Sequence, residues 1–470
     1  MKVPRVSMAN WQSVNSEYTN QSLGNKDCYM CVTIAYAENC LYSYASENVR
    51  DSLDCYNIYQ SELLYEAMHC TKCGNSAFLY DCADVTDSFF LKNCRGCTSC
   101  FGSYGLRNKS YYWKNEQLNK DEYEKRFSEF TFSCESIRKE RESLLRLAYQ
   151  YPHKYFLGQN IVNSVGDNIQ DTKNSYAVFR SWEGENLRYC QDVDHSKDSI
   201  DCTEIWGELG YELEGVEAKS CIAVTKCVAL FDSYYSELCS NSHDLFGCMG
   251  LKKAEYCIFN KRYSKEEYHK TIEKVIAHMK KSEEWGEFFP AVLSLFAYNE
   301  TVAQDYFPLT EGEAVKKGMR WHQRKDRNYN ITLQIKDIPK TIGEVNDSIV
   351  SQAIKCISQE SEEGKQMYVD CTTAFRITPA ELELYRKIKI PIPQKCPSCR
   401  RQDRMMLRNP RKLWKRACQC VGLNSENGIY QNTAKHFHGS SHCPNEFETS
   451  YAPERPEIVY CEACYQSEVV

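Results

Sequence analysis

Short apolar and aromatic runs, each closed off by small polar residues, set the rhythm of the first hundred or so positions. AFLY from Ala77, SFFL from Ser88 and SYYW from Ser110 are too short for helices and rich in aromatic residues, which predicts strands. Gly, Asn, Asp and Ser fill the gaps and supply turns. Ser76, Ser88, Ser99 and Ser110 precede such runs at spacings of eleven or twelve residues, and Cys70, Cys82 and Cys94 keep the same beat. A strand–turn unit of fixed length predicts stacked coils whose equivalent side chains form ladders, a β-solenoid. The spacing leaves open whether one coil takes about twelve residues or two such units.

The pattern is also duplicated on a larger scale. DSLDC at Asp51–Cys55 returns as DSIDC at Asp198–Cys202, an offset of 147. DSFFLKNC at Asp87–Cys94 returns as DSYYSELC at Asp232–Cys239, now at an offset of 145. FGSYGL from Phe101 returns as FGCMGL from Phe246, so two residues are lost in a genuine tandem duplication. Each copy closes with a helical pattern, KDEYEKRF after Asn119 and KEEYHKTI after Ser264, with Glu122 and Glu267 at the capping-box position. In the second, Tyr268, Ile272, Val275, Ile276 and Met279 recur at helical spacing and are predicted to face the solenoid.

Composition narrows the class. Hydrophobic content of 42% and charged content of 26% are those of a globular chain, and no run approaches a membrane span. The opening MKVPRVSMANWQ has no apolar stretch of the secretory type. With 27 cysteines, an odd number, in a long chain, a reducing cytoplasm is expected, and the solenoid cysteines read as small buried hydrophobes. Cys94, Cys97 and Cys100, with Cys70 and Cys73, are the alternative metal candidates there. In the second copy Cys97 and Cys100 fall on Ser242 and Leu245, which excludes a metal cluster essential to both copies.

Beyond about residue 345 the cysteines change grammar. Cys396-Pro-Ser-Cys399 and Cys461-Glu-Ala-Cys464 are knuckles that present two thiolates to one tetrahedral metal. CTTAF from Cys371 precedes the first and CPNEF from Cys443 precedes the second. Cys356 is the nearest upstream thiol for a fourth ligand at the first site. At the second site His438, His436, Cys418 and Cys420 compete for that place. The expected cofactor is Zn²⁺, one to two per chain, in closed structural sites. From Arg386 to Arg416 there are also twelve Lys or Arg against the one acid Asp403, in a chain whose net charge is −6. Arg400, Arg401, Arg404, Arg408, Arg411 and Lys412 are placed to fork onto phosphates, and Trp414 to stack on a base. The competing reading is that this charge offsets the acidic solenoid or the thiolates.

The phrases KVPRVSMANWQSVNSEYTN, YCIFNKRYSKEEY, SLFAYNETVAQDYFPL, CPSCRRQDRMMLRNPRKLW and CPNEFETSYAPERPEIVYCEACYQSEVV together resemble a Cys-rich zinc-ribbon family with internal repeats, common in candidate-phyla bacteria. The resemblance covers almost the whole chain and implies zinc ligation by Cys371, Cys396 and Cys399, and by Cys443, Cys461 and Cys464. It implies no activity. A further ribbon usually stands ahead of KVPR in that family, so the resemblance also implies an N-terminally truncated member.

The expected fold is therefore mainly β with flanking α-helices: tandem β-solenoid-like repeats followed by small α+β, treble-clef-like zinc ribbons. Residues 1–150 and 151–285 form the two copies and 286–345 a connecting aromatic and polar segment. Residues 346–420 carry the first ribbon and the basic stretch, and 421–470 the second ribbon. GxSxG, P-loop and strand-linked GxGxxG motifs are absent. The leading expectation is a non-enzymatic zinc-binding protein whose ribbons bind nucleic acid. A structural or protein-assembly module docking partners on the solenoid faces comes second, and a metal-dependent hydrolase or nuclease third.

Overall fold

The computed structural model describes residues 10–323 and 329–469. Lys2–Ala9 of the opening phrase and Arg324–Asn328 of the polar connecting segment lie outside the described residues. The chain is mainly β, with two large sheets that are almost wholly parallel and with helices flanking them. In the first sheet each strand pairs with the segment twelve residues on: Tyr56 with Met68, Cys70 with Cys82, Ala77 with Phe89, and Phe89 with Phe101. One repeat of the pattern is thus twelve residues.

The backbone reason is a left-handed residue at every third position. Asp51, Asp54 and Asn57 have φ of +50°, +58° and +56°, and the series runs on through Asp81, Asp84 and Asp87. Asp and Asn tolerate this conformation better than most residues, which accounts for their period in the sequence. Several of these corners are bridged one repeat apart: Asn186 donates to Asp198 at 2.7 Å and Asn160 to Asp171 at 2.8 Å.

Inside the first sheet the small residues stack. Ser76 Oγ donates to the Gly74 carbonyl (2.7 Å) and accepts from the Ser88 amide (3.0 Å); Ser88 Oγ in turn accepts from the Cys100 amide (3.1 Å). The ladder thus runs Ser76–Ser88–Cys100, not through Ser99 and Ser110 as the spacing suggested. Cys70, Cys82 and Cys94 form a parallel ladder, their thiols 3.2–3.5 Å from the carbonyl two residues back. These thiols and their aliphatic neighbours Ile58, Leu64, Leu79 and Leu91 are fully buried in one core. On the outside, Phe78 stacks on Phe90 (4.5 Å between ring centres) and Phe101 on Trp113 (4.1 Å), while Phe90 meets Phe101 edge to face at 5.2 Å. Helices Lys120–Glu129 and Cys134–Ala148 close this copy, and Phe127 and Phe130 pack on Phe101.

The second sheet contains pairings one residue shorter than twelve. Ile200 pairs with Tyr211, eleven residues on, and the Glu217 amide bonds to the Cys227 carbonyl where the twelve-residue repeats place the acceptor one residue later. Two neighbouring repeats here are eleven residues long, as is the one that pairs Val162 with Lys173. Glycine marks the first: a Cβ on Gly207, whose φ is +143°, would stand 1.9 Å from the Ala218 carbonyl oxygen. Helix Lys265–Lys281 then packs Tyr268 and Ile272 on Phe246 and Ile258, with Val275, Ile276 and Met279 alongside. Its Ser264/Glu267 capping box is reciprocal, whereas Asn119 caps its own helix only by accepting from the Glu122 amide.

The C-terminal part is not set apart from the first sheet. One buried core joins Tyr42, Tyr65 and Phe78 with Ile354, Tyr385, Ile392 and Met405. Strand Pro152–Lys154, which links the two copies, pairs with Ile458–Tyr460 near the C-terminus. Among the described residues no helix is long and apolar enough to cross a membrane.

Candidate metal centres

Two C-terminal segments bring their cysteines together by the same local plan. In the first, Cys356 follows strand Ile354–Lys355, Cys371 precedes its antiparallel partner Ala374–Phe375, and Cys396 caps helix Pro397–Leu407 with Cys399 in its first turn. In the second, Cys418 follows strand Trp414–Ala417, Cys443 precedes its partner Glu446–Thr449, and Cys461 immediately precedes helix Glu462–Val469, which holds Cys464. An equivalent backbone bond locks each knuckle. The Cys396 amide donates to Cys356 Sγ at 3.3 Å, and the Cys461 amide to Cys418 Sγ at 3.2 Å. Because Trp414–Ala417 pairs with Glu446–Thr449, Cys418 and Cys420 both lie in the second segment, with Cys418 in its four-thiol group. The boundary expected at 420/421 therefore falls inside this module.

The donor atoms of each group lie within 4.8 Å of one another. Sγ separations are 3.5 Å for Cys396–Cys399, 3.9 Å for Cys356–Cys399 and 3.9 Å for Cys371–Cys396. In the second group Cys443 lies 3.9 Å from Cys461 and 3.7 Å from Cys464. A tetrahedral ion with metal–sulfur bonds of about 2.3 Å has sulfur–sulfur edges of about 3.8 Å, whereas a disulfide needs about 2.05 Å. The spacing is that of a tetrahedral metal shell, and both groups can hold a metal ion. Four thiols at this distance, three of them buried in the first group and all four in the second, cannot all ionise without a cation among them. In the first group the neighbouring thiols, Cys371 foremost, already hold Cys356 below the ordinary thiol range.

A third group joins Cys420, His436 and His438 to Cys464. Every C-terminal cysteine and histidine named as a ligand candidate falls in one of the three groups, His436 and His438 both in the third. By contrast, Cys70, Cys73, Cys94, Cys97 and Cys100 of the first sheet belong to no group of this kind among the described residues.

The basic stretch lies between these modules and the sheets. Arg400 donates to Asp54 Oδ2 at 2.7 Å and to Glu381 at 3.1 Å, and its side chain is 3% exposed. Arg404 is 1% exposed, with Nη1 3.0 Å from Asp54 Oδ1, a Coulombic contact without hydrogen-bond geometry. Asp54 stands in the DSLDC repeat of the first sheet. Arg401 forks onto Asp305 (2.9 and 2.5 Å), and Arg408 donates to the Asp305 carbonyl at 2.6 Å. Arg411 forks onto Asp192 of the second sheet at 2.6 and 2.7 Å, where Arg180 also binds. Asp192, between two guanidinium groups, is held well below the ordinary carboxylate range despite its burial. Lys412 is exposed, with Nζ 5.1 Å from the ring centre of the half-buried Trp414. Sequence reasoning took these arginines by charge alone; Asp54 and Asp192 sit at repeat corners, where the pattern marks turns rather than partners.

No family model matches the chain, and no curated protein does. Among solved structures it is similar to one described as a "putative acetyltransferase" from Desulfovibrio desulfuricans G20, at 10% identity and a TM-score of 0.12. That match covers 48% of this chain, which spans 61% of the other's length. So loose a superposition carries no argument about fold or activity.

Proposed function

We propose that this chain is a non-enzymatic, zinc-stabilised scaffold: two β-solenoid arms tied together by C-terminal treble-clef-like zinc ribbons, and working as a protein-assembly module. The single observation that carries this reading is where the basic stretch spends its charge. Arg400 and Arg404 are buried against Asp54 and Glu381, Arg411 grips Asp192, and Arg401 and Arg408 hold the segment at Asp305. A guanidinium already forked onto a carboxylate and excluded from water is not available to a phosphate. The stretch reads instead as a strap from one arm to the other, with zinc fixing the helix that carries it. Four cysteine donors in each of the two four-thiol groups leave no open position for water, which favours structural over catalytic zinc.

Filter binding at low salt, with zinc-loaded protein and single- and double-stranded DNA and RNA, tests this. No retention at micromolar protein is expected. Retention that weakens with salt, and whose salt slope flattens on Lys412→Glu, would replace the strap with a nucleic-acid interface.

A further inference from the structure

We propose that the second ribbon holds two metal ions bridged by the thiolate of Cys464, making three metals per chain; this deepens the zinc reading above and rests on it. Cys464 is a donor in both the Cys418–Cys443–Cys461 group and the Cys420–His436–His438 group. If it served only one, the other would keep three protein donors. Shared, it gives one ion four sulfurs and the other two sulfurs and two nitrogens, both tetrahedral sets of the zinc type.

The two histidines supply the independent observation, because each is already set to offer a lone pair. His436 is buried, and its Nε2 lies 2.9 Å from the Glu468 carboxylate, which can only accept; the proton therefore sits there. Its Nδ1 is then a bare lone pair, buried and without any hydrogen-bond partner. Such an orphan is costly unless something binds it. His438 is held the opposite way round: Nδ1 lies 2.7 Å from the Ser441 carbonyl, so Nε2 is bare, and it stands 3.3 Å from Cys464 Sγ.

The outer contacts are those of a ligand shell. Glu468 is itself fixed by Tyr430 Oη (2.9 Å) and by the Thr433 amide (2.8 Å), a carboxylate–histidine arrangement that orients an imidazole toward a metal. Cys420 Sγ accepts from Asn432 Nδ2 at 3.2 Å, and Asn432 Oδ1 accepts from Tyr460 Oη at 2.8 Å. The paired motifs Cys418-x-Cys420 and His436-x-His438 acquire a division of labour. Alternate residues of the first serve different ions, and both residues of the second serve the same one.

Charge supports the bridge. A lone four-thiolate zinc site carries net −2 in a buried place. Five thiolates around two Zn²⁺ carry net −1, and burying less uncompensated charge costs less. On binding, the thiols release their protons to solvent and no electron moves.

The test is metal counting on the zinc-loaded full chain by native mass spectrometry, with folding checked by circular dichroism. Three zinc ions are expected in the wild type, and two in Cys420→Ser and in His436→Ala. Because a variant can fail to fold, a second measurement uses the wild type alone. Loaded with ¹¹³Cd, it should show scalar coupling between two cadmium resonances, which requires a shared sulfur. Two zinc ions in the wild type, unchanged in both variants, would overturn the bridge and leave the zinc ribbons standing. Three ions without cadmium–cadmium coupling would also overturn it. Folded protein without metal would remove the ribbon reading itself.

Discussion

Asp54 ties the first cysteine group's helix to the first sheet through two arginines. It is fully buried and faces both Arg400 and Arg404, with Glu381 as the second carboxylate. Two positive and two negative groups balance only as a set, so removing one leaves a buried charge unpaired. Asp54→Ala is expected to cost about 3–5 kcal/mol in urea unfolding. Asp54→Ala combined with Arg404→Met should cost less than the sum of the two single changes, because the second removes the charge orphaned by the first. Additive costs would show that the groups do not interact. Cysteine at this scale has two fates that burial does not separate. Cys82 and Cys94 bond to carbonyls inside the first sheet, whereas Cys396 and Cys399 meet other thiols. Native protein stripped of metal should therefore release ribbon thiols to a labelling reagent well before those of the ladder, as peptide mapping would reveal.

The elements are held by period and by exception. Stacking works because every third residue turns the chain and equivalent positions recur twelve residues later. Where a repeat is one residue short the backbones come closer, and Gly207 leaves room for the Ala218 carbonyl. Gly207→Ala is expected to lower stability by about 1–3 kcal/mol through forced backbone shifts. Gly105→Ala, also at positive φ but with nothing within 4 Å of its added Cβ, should cost less. Thermal melts of the two variants compare crowding with conformation alone, and equal losses would mean that crowding at Gly207 is relieved freely. The helices follow ordinary capping rules, and their apolar stripes meet the aromatic outer faces of the two copies.

At the scale of the molecule, the linker strand Pro152–Lys154 inserts His153 beside the last strand of the chain. His153 is buried, donates from Nε2 to the Ala148 carbonyl and accepts at Nδ1 from Tyr104 Oη. Burial, with Lys92 nearby, pushes its pKa down to about 3. An unfolded histidine titrates near 6.5, so below that pH the unfolded chain binds a proton that the native chain refuses. The stability contribution is complete above about pH 6.5 and is lost as pH falls toward about 3. Asp192 acts with the same sign further down, since its folded value is depressed by Arg411 and Arg180. Between pH 7 and 5 the His153 contribution should fall by about 2 kcal/mol, lowering the melting temperature. His153→Gln, which keeps a donor and an acceptor, should flatten that slope; an unchanged slope would place the titration elsewhere. Chelation should reach further than the cysteine groups, because one core joins Ile354, Tyr385 and Met405 to Tyr65 and Phe78 of the first sheet. Metal removal is expected to lower the denaturation midpoint of the whole first copy, followed by fluorescence and by a far-ultraviolet probe in parallel.

Local and periodic information was legible in the chain. The parallel β character followed from short aromatic runs at a fixed beat, the closing helices from their caps, and the Cys396/Cys399 and Cys461/Cys464 pairs from knuckle spacing. Each of these depends on contacts a few residues apart or on a repeat that brings like positions together, so a single sequence carries it. The twelve-residue register needed the left-handed corners, which the spacing of Asp and Asn hints at but side chains such as Phe78 and Phe90 conceal. Only the tertiary structure decided which donors complete each group, since the pairing of Trp414–Ala417 with Glu446–Thr449 brings Cys418 to Cys443, Cys461 and Cys464, each more than twenty residues away, while Cys420 meets His436 and His438 instead. It decided, too, what the basic stretch faces. A run of arginines reads alike toward phosphate or carboxylate, and Asp54 and Asp192 lie hundreds of residues from the guanidinium groups of the basic stretch that they bind.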